Sequence, residues 1–266
     1  MSLRVLTAAT TRKLIAHATL VNRLGISNDN TRLSELNLEA SSAIEEYVGR
    51  ILARQRYTET LTGNWRSRLA LSCLPLDRDS VTLTIDGTAY TDFSVESWES
   101  GHLWRDGGWP ANGVAQSLAE RDEENIAVTY KAGYVLPDMI GAWVNSATVV
   151  AGTWIRPTTP VGDLLMECTT AGAVAASEPT WPTTAGSTVT SSAAVYTARH
   201  AVELPKQIVS AAWLTVHQLH TSMTRGFDVR AIEGDGQRIE YATSNAQTGP
   251  LPLAAMRMLD AWRFGA

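Results

Sequence analysis

NIAVTYKAGY, residues 125–134, alternates Ile126, Val128 and Tyr130 with smaller or polar side chains, so it reads as a half-buried β-strand. VELPKQIVSAAWLTVHQLH, residues 202–220, carries a proline where a first helical turn tolerates one. Ile208, Val209, Ala212, Trp213, Val216 and Leu219 then recur at three- and four-residue steps, so it reads as a long helix. Between the two stretches the chemistry changes. From Gly141 to Ala198 the only charged residues are Arg156, Asp163, Glu167 and Glu178, where the chain's 18% charged fraction would give about ten. The block is dense in Thr, Ala and Gly and holds Trp143, Trp154 and Trp181. It reads as a small β module spliced into a host domain.

Working outward, Thr10 to Leu24 is expected to form a first helix, with Leu14, Ile15, Ala18 and Val21 on one face and Gly25 as its stop. A second helix is marked by Leu33, Leu36, Ala40, Ile44, Val48 and Ile51, with Glu39, Glu45, Glu46 and Arg50 on its other face. The pattern then switches to period two. Tyr57, Glu59 and Leu61 share one face of a strand, and Val81, Leu83 and Ile85 lead into Asp86-Gly87, a strong hairpin signal. Beyond the long helix, Ser244 to Gly249 reads as a linker. Leu251 to Arg263 reads as a short amphipathic helix that needs something to pack against.

At 266 residues and 44% apolar, the chain can form one large domain or two smaller ones, each with a real core. A net charge of −5 with no run of Lys or Arg argues against a monomer that grips nucleic acid by charge alone. Cys73 and Cys168 have no second ligand cluster and are expected as buried free thiols in a reducing compartment. Arg12 and Lys13 interrupt the N-terminal stretch, so no signal peptide is expected, and no segment is long and apolar enough to span a bilayer. No membrane partner is expected.

Candidate chemistry is sparse. His217-x-x-His220 on the long helix lacks a third and fourth ligand in register. Glu45-Glu46 and Glu123-Glu124 are adjacent pairs whose side chains diverge. Gly234-Asp235-Gly236 lacks the further glycine and following helix of a phosphate loop. No catalytic residue, metal or cofactor is expected. Trp143, Trp154, Trp181 and Tyr196 of the module are the candidate ligand-facing aromatics, since such rings stack on sugars. Equally, they can form the core of a module with few other large apolar residues.

With the module set aside, the flanks resemble the head–tail connector proteins (adaptor, or head-completion) of tailed bacteriophages and gene transfer agents. The motifs that carry the resemblance occur in order: an Asn-rich turn at Asn28-Asp29-Asn30, Glu46-Tyr47-Val48-Gly49-Arg50, Leu74-Pro75, Val81-Thr82 with Asp86-Gly87, Val128 to Tyr134, and Leu204 to Ile208. Together they cover most of residues 1–138 and 202–266. The departure from the family is the module, which stands where other members have a short loop. Its Gly162-Asp163, Cys168 to Gly172 and Glu178 to Pro182 are loosely similar to small β modules of phage tail and fibre proteins.

The resemblance implies an α+β fold: a helical adaptor core with a β-hairpin and sheet portion, plus an inserted small all-β domain. Residues 1–138 would form the first part of the core, 139–201 the inserted domain, 202–249 the second part and 250–266 a portal-binding tail. The implied role is that of a non-enzymatic virion protein, a ring subunit joining the portal to the neck or tail. Copies would form a dodecamer and extend the channel for genomic DNA, which passes without sequence-specific binding. The implied partners are the portal and a neck or tail-completion protein, at the head–tail interface of the virion after assembly in the host cytoplasm. The portal interface is expected at Leu251, Ala255, Met258, Leu259, Trp262 and Arg263. The alternative is a carbohydrate-binding decoration protein acting through the module. A sequence-specific DNA-binding protein is a further rival.

Overall fold

The computed structural model describes residues 2–26, 30–111, 124–200, 202–225, 231–234, 237–240 and 251–263. The turn at Asn28-Asp29-Asn30 (save the backbone of Asn30), the Gly234-Asp235-Gly236 turn itself, Glu123 and the Ser244–Gly249 linker lie outside them. The chain divides into two compact units. One comprises Met1–Thr10, Ala53–Val135 and Met139–Glu203; the other comprises Thr11–Leu52, Leu136–Asp138 and Leu204–Ala266.

The expected fold class is overturned. Among the described residues there are seventeen strands in five sheets against four α-helices, so the protein is mostly β and not built on a helical core. The reason is strand length. Most of the strands are four residues or shorter, too short for a period-two pattern to register, whereas the two long helices carry the clearest periodicity.

The β unit contains two five-stranded sheets. The host sheet has the order β1-β2-β8-β4-β5, all antiparallel, from β1 (Ser2–Thr7), β2 (Gln55–Leu61), β4 (Thr82–Ile85), β5 (Thr88–Tyr90) and β8 (Ile126–Ala132). Central β8 alternates strictly, burying Ile126, Val128, Tyr130 and Ala132. β4 and β5 form the expected hairpin, with Asp86 and Gly87 both at positive φ, as a two-residue turn of the type I′ class requires. A three-stranded sheet of β3 (Arg68–Ala70), β6 (Ser94–Ser97) and β7 (His102–Trp104) shares its core. Leu69 and Leu103 join Val128, Tyr130 and the fully buried Trp109 in one cluster.

The module's sheet has the order β14-β15-β12-β11-β9, from β9 (Ile140–Ala142), β11 (Trp154–Arg156), β12 (Leu164–Thr170), β14 (Thr188–Ser191) and β15 (Ala194–His200). A two-stranded pair, β10 (Thr148–Val149) with β13 (Gly172–Ala173), lies within the same segment. The ends of the segment meet. Val135 bridges Glu203, and the Val135 N–H donates to the Val202 carbonyl at 2.9 Å. The two ends of the segment expected as an inserted domain, 139–201, thus lie side by side, and the segment shares one compact unit with the host strands.

The second unit holds α1 (His17–Leu24), α2 (Asn30–Val48), α3 (Lys206–Arg225), α4 (Leu253–Leu259) and a hairpin of β16 (Ala231–Gly234) and β17 (Gln237–Glu240). α3 packs on both α2 and α4. The first helix is shorter than expected: it begins at His17, and the chain before it is irregular yet buries Leu14 and Ile15. Two polar side chains of α2 make that burial tolerable. Ser41 Oγ accepts from the Leu14 N–H at 3.0 Å, and Asn37 Nδ2 donates to the Ile15 carbonyl at 2.8 Å.

Candidate functional site

Five charged side chains meet where the module's sheet adjoins the host strands of the β unit. Arg54 precedes β2, Asp77 follows the Leu74-Pro75 segment and Lys131 lies on β8, while Glu167 and Arg199 come from β12 and β15 of the module. Arg54 is ion-paired with Asp77 and lies 3.3 Å from Glu167 Oε1. Glu167 also takes Lys131 at 3.1 Å and Arg199 at 3.3 Å. The Arg54 guanidinium stacks 4.6 Å from the ring centroid of the buried Trp154, a cation–π contact in a dry setting. Beside it, Trp154 and Leu165 of the module pack with Val135.

Burial alone would push the Glu167 carboxyl up, but Arg54, Lys131 and Arg199 outweigh it and hold it below the usual carboxylate range. A carboxylate committed to three cations is a fastener rather than an acid or a base. Removing one partner of such a buried cluster is far costlier than its surface equivalent. Next to it lies a cleft of about 340 Å³, lined by Arg78, Trp98, Arg156, Asp163, His200 and Glu203 among others. Four of these side chains are paired within the cleft, and Arg78 lies 5.0 Å from the Trp98 ring centroid. Arg156 pairs with Glu203 at 2.8 Å, and His200 Nδ1 lies 3.2 Å from Asp163.

The four aromatic residues singled out in the module are mostly interior. Trp154, Trp181 and Tyr196 are buried, and only Trp143 is half-exposed. Trp143, Trp181 and Tyr196 pack edge-to-face with ring centroids 5.4–6.3 Å apart. The Trp181 indole N–H donates to Glu178 at 2.6 Å, and burial pushes the Tyr196 hydroxyl up to about 12. Sugar stacking needs an exposed ring, and of the four only Trp143 is even half-exposed.

The tail residues divide in the same way. Leu251, Ala255 and Leu259 are buried within the helical unit, whereas Met258 is exposed. Tyr47 donates its hydroxyl to Asp260 at 2.6 Å, Arg263 lies over the Tyr47 ring, and the Trp262 indole N–H donates to Gln207 at 3.1 Å. The outer face of α4 and the turn after it shows Leu253, Ala254, Arg257, Met258 and Ala261.

Tyr47 belongs to the Glu46-Tyr47-Val48-Gly49-Arg50 motif, whose backbone work is also visible. Gly49 adopts φ +76, its N–H reaches the Glu46 carbonyl at 3.2 Å, and the Arg50 N–H reaches the Glu45 carbonyl at 3.2 Å, which is the Schellman stop of α2. Glu45, assigned to the outer face by periodicity, is instead buried. It takes Arg12 Nε at 2.9 Å and the Leu52 N–H at 2.8 Å, so it ties the turn beyond the helix.

A further buried carboxylate, Glu59, accepts from the Tyr130 hydroxyl and Ser72 Oγ at 2.7 Å each. Burial and this bond to Glu59 push the Tyr130 hydroxyl up. Both cysteines are free, and burial raises both thiols, which keeps them protonated and poorly nucleophilic. Among the described residues no group of three or more His, Cys, Asp or Glu could hold a metal, and no helix is long and apolar enough to cross a membrane.

No family model matches the chain, and no curated protein matches it. Among solved structures it is similar to a chain of the neck of an empty GTA particle computed with C6 symmetry. That match has 14% identity and a TM-score of 0.49 over 100% of this chain and 99% of the other. A chain of the virion of a native gene transfer agent (GTA) particle gives 13% identity and a TM-score of 0.45, again over 100% and 99%. Both scores are too low to assign a fold or a role to this chain.

Proposed function

We propose that this chain is a structural virion protein, an adaptor ring subunit that joins a portal to the neck or tail and extends the DNA channel. The observation that carries the reading is that the connector-like motifs fall on backbone joints of the fold. Gly49 stops α2, Asp86-Gly87 turns the β4–β5 hairpin, and Leu204 to Ile208 opens α3. Gly133, in the Val128–Tyr134 motif, has φ +107, and a Cβ there would meet the Ala53 carbonyl oxygen at 2.6 Å. Residues that fix the path of the chain are the ones a shared fold would retain.

In this reading the subunits form a dodecamer. The exposed Met258, with Leu253 and Arg257 beside it on α4, faces the portal, while Leu251, Ala255 and Leu259 hold α4 in place behind it. A net charge of −5 suits a conduit through which DNA slides without sequence-specific binding. The test is to mix the purified chain with its portal and image the product by electron microscopy. The expected result is a second ring stacked under the portal ring. Portal rings that remain bare at saturating chain would overturn the proposal.

A further inference from the structure

Among the described residues the host sheet has two open edges, β1 on one side and β5 on the other. β1 is exposed along its whole length, Ser2–Thr7, including Leu3, Val5 and Leu6. It is held by its ladder to β2, in register from Ser2 opposite Thr60 to Val5 opposite Tyr57, with a one-residue shift before Thr7 opposite Arg56. A strand that buries neither face has little core contact to offset the entropy of ordering it, and an open apolar edge is a template for another strand.

The two edges also differ in charge. Arg4 on β1 and Arg56 beside Thr7 are exposed cations, with an exposed anion, Glu124, on Thr60 at the Ser2 end, whereas Asp86 and Asp92 flanking β5 are exposed anions. From Val81 to Trp104 there is no Lys or Arg. The nearby Arg105 is turned to the Tyr90 hydroxyl at 2.7 Å and the Gly108 carbonyl at 2.5 Å. Pairing β1 with a second β1 would bring the Arg4 of both copies into one seam, with each Arg56 one strand behind it. Pairing β1 with β5 sets them against Asp86 and Asp92.

We propose that β1 of one copy adds to the β5 edge of the next, so that the host sheet continues from subunit to subunit. The contact joins two different surfaces, which makes it head-to-tail, and such contacts propagate into a closed ring or an open filament. The edge contact stands on the sheet alone; closure into a ring rests on the adaptor reading above. The hairpin geometry identifies the donor on the β5 side. Ile85 and Thr88 close the two-residue turn, so the next pair, Thr84 with Ala89, is the widely spaced kind, and the Ala89 N–H points away from β4 to the open edge.

The test uses the full chain without portal, by sedimentation velocity and native mass spectrometry. Wild type is expected to form concentration-dependent oligomers. Leu3→Lys with Val5→Lys, deletion of Ser2–Thr7, and Ala89→Pro are each expected to raise the dissociation constant about tenfold or more, with far-UV circular dichroism unchanged. The Lys variant keeps its β5 edge and the Pro variant keeps its β1 edge, so mixing them is expected to give a one-to-one dimer that grows no further.

A wild type that stays monomeric at its highest soluble concentration would overturn the proposal. So would variants that assemble as wild type does, or folded variants that fail to complement each other. A chain that assembles through β1 but ignores the portal keeps this inference and loses the adaptor reading. A β1-deleted chain that still stacks under the portal as a ring does the reverse.

Discussion

Strands β8 and β12 sit in sheets of equal strand number yet are buried in different ways. β8 alternates, with Ile126, Val128, Tyr130 and Ala132 inward and the residues between them half-exposed. β12 is buried without alternation from Leu164 through Cys168. Met166 and Cys168 fill the module's own core, while Leu165 packs with Val135 and Trp154, and Glu167 meets Arg54 and Lys131. One strand thus serves two interiors. A module with a single core would show alternation; the continuous run marks the place where it is fastened to its host.

The comparison can be broken first at the module's own core. Trp181→Ala is expected to cost about 3–5 kcal/mol, measured by urea unfolding, because it empties the centre of the Trp143–Trp181–Tyr196 cluster. A loss well under 1 kcal/mol would mean that the ring is a surface feature and that the module has no interior of its own.

The fastening comes next. Glu167→Ala is expected to cost about 3 kcal/mol, since it leaves buried Arg54 with Asp77 alone and strands Arg199. Combining it with Arg54→Met should recover part of the loss in the same measurement, as apolar replacement of a buried pair does; no recovery would show that charge balance is not what holds the junction.

Acid offers a gentler probe. Glu167 titrates lower in the folded chain than in the unfolded one, so its contribution is fully present above the ordinary carboxylate range and is lost as pH falls through the lowered folded value. Melting temperature should therefore fall more steeply below about pH 4.5 in wild type than in Glu167→Gln. Parallel curves would break the assignment. The smallest effect is in the helical unit. Gly49→Ala should cost about 1 kcal/mol, because a side chain is forced into the left-handed conformation that ends α2.

What the sequence disclosed follows from what each signal measures. β8, the β4–β5 hairpin, α2 and α3 were legible because a repeated burial pattern or a two-residue turn is written locally. β1 was not, because a strand exposed on both faces has no burial pattern to write. The segment before His17 read as helix because Leu14 and Ile15 are buried; the residues that satisfy its backbone, Asn37 and Ser41, come from a distant helix. Glu45 and Glu167 were missed for the same reason. A buried carboxylate looks like any surface Glu until its partners, Arg12 in one case and Arg54 in the other, are brought in from far along the chain. The tail was half legible: of the residues expected at a portal interface, Leu251, Ala255 and Leu259 are buried within their own unit and Met258 is exposed, because an amphipathic pattern marks a packing face without naming what covers it.

The hydrogen bond between Val135 and Val202 has a mechanical consequence. The two chain segments that tether the module leave the host side by side, so an outward pull is shared between them and scarcely strains the bond that joins them. Trp154, packed against Val135 beside that bond, and Glu167, paired with Arg54 and Lys131, add side-chain contacts to the same joint. A pull on the segment therefore meets two tethers in parallel, backed by the ion pairs of Glu167 with Arg54 and Lys131.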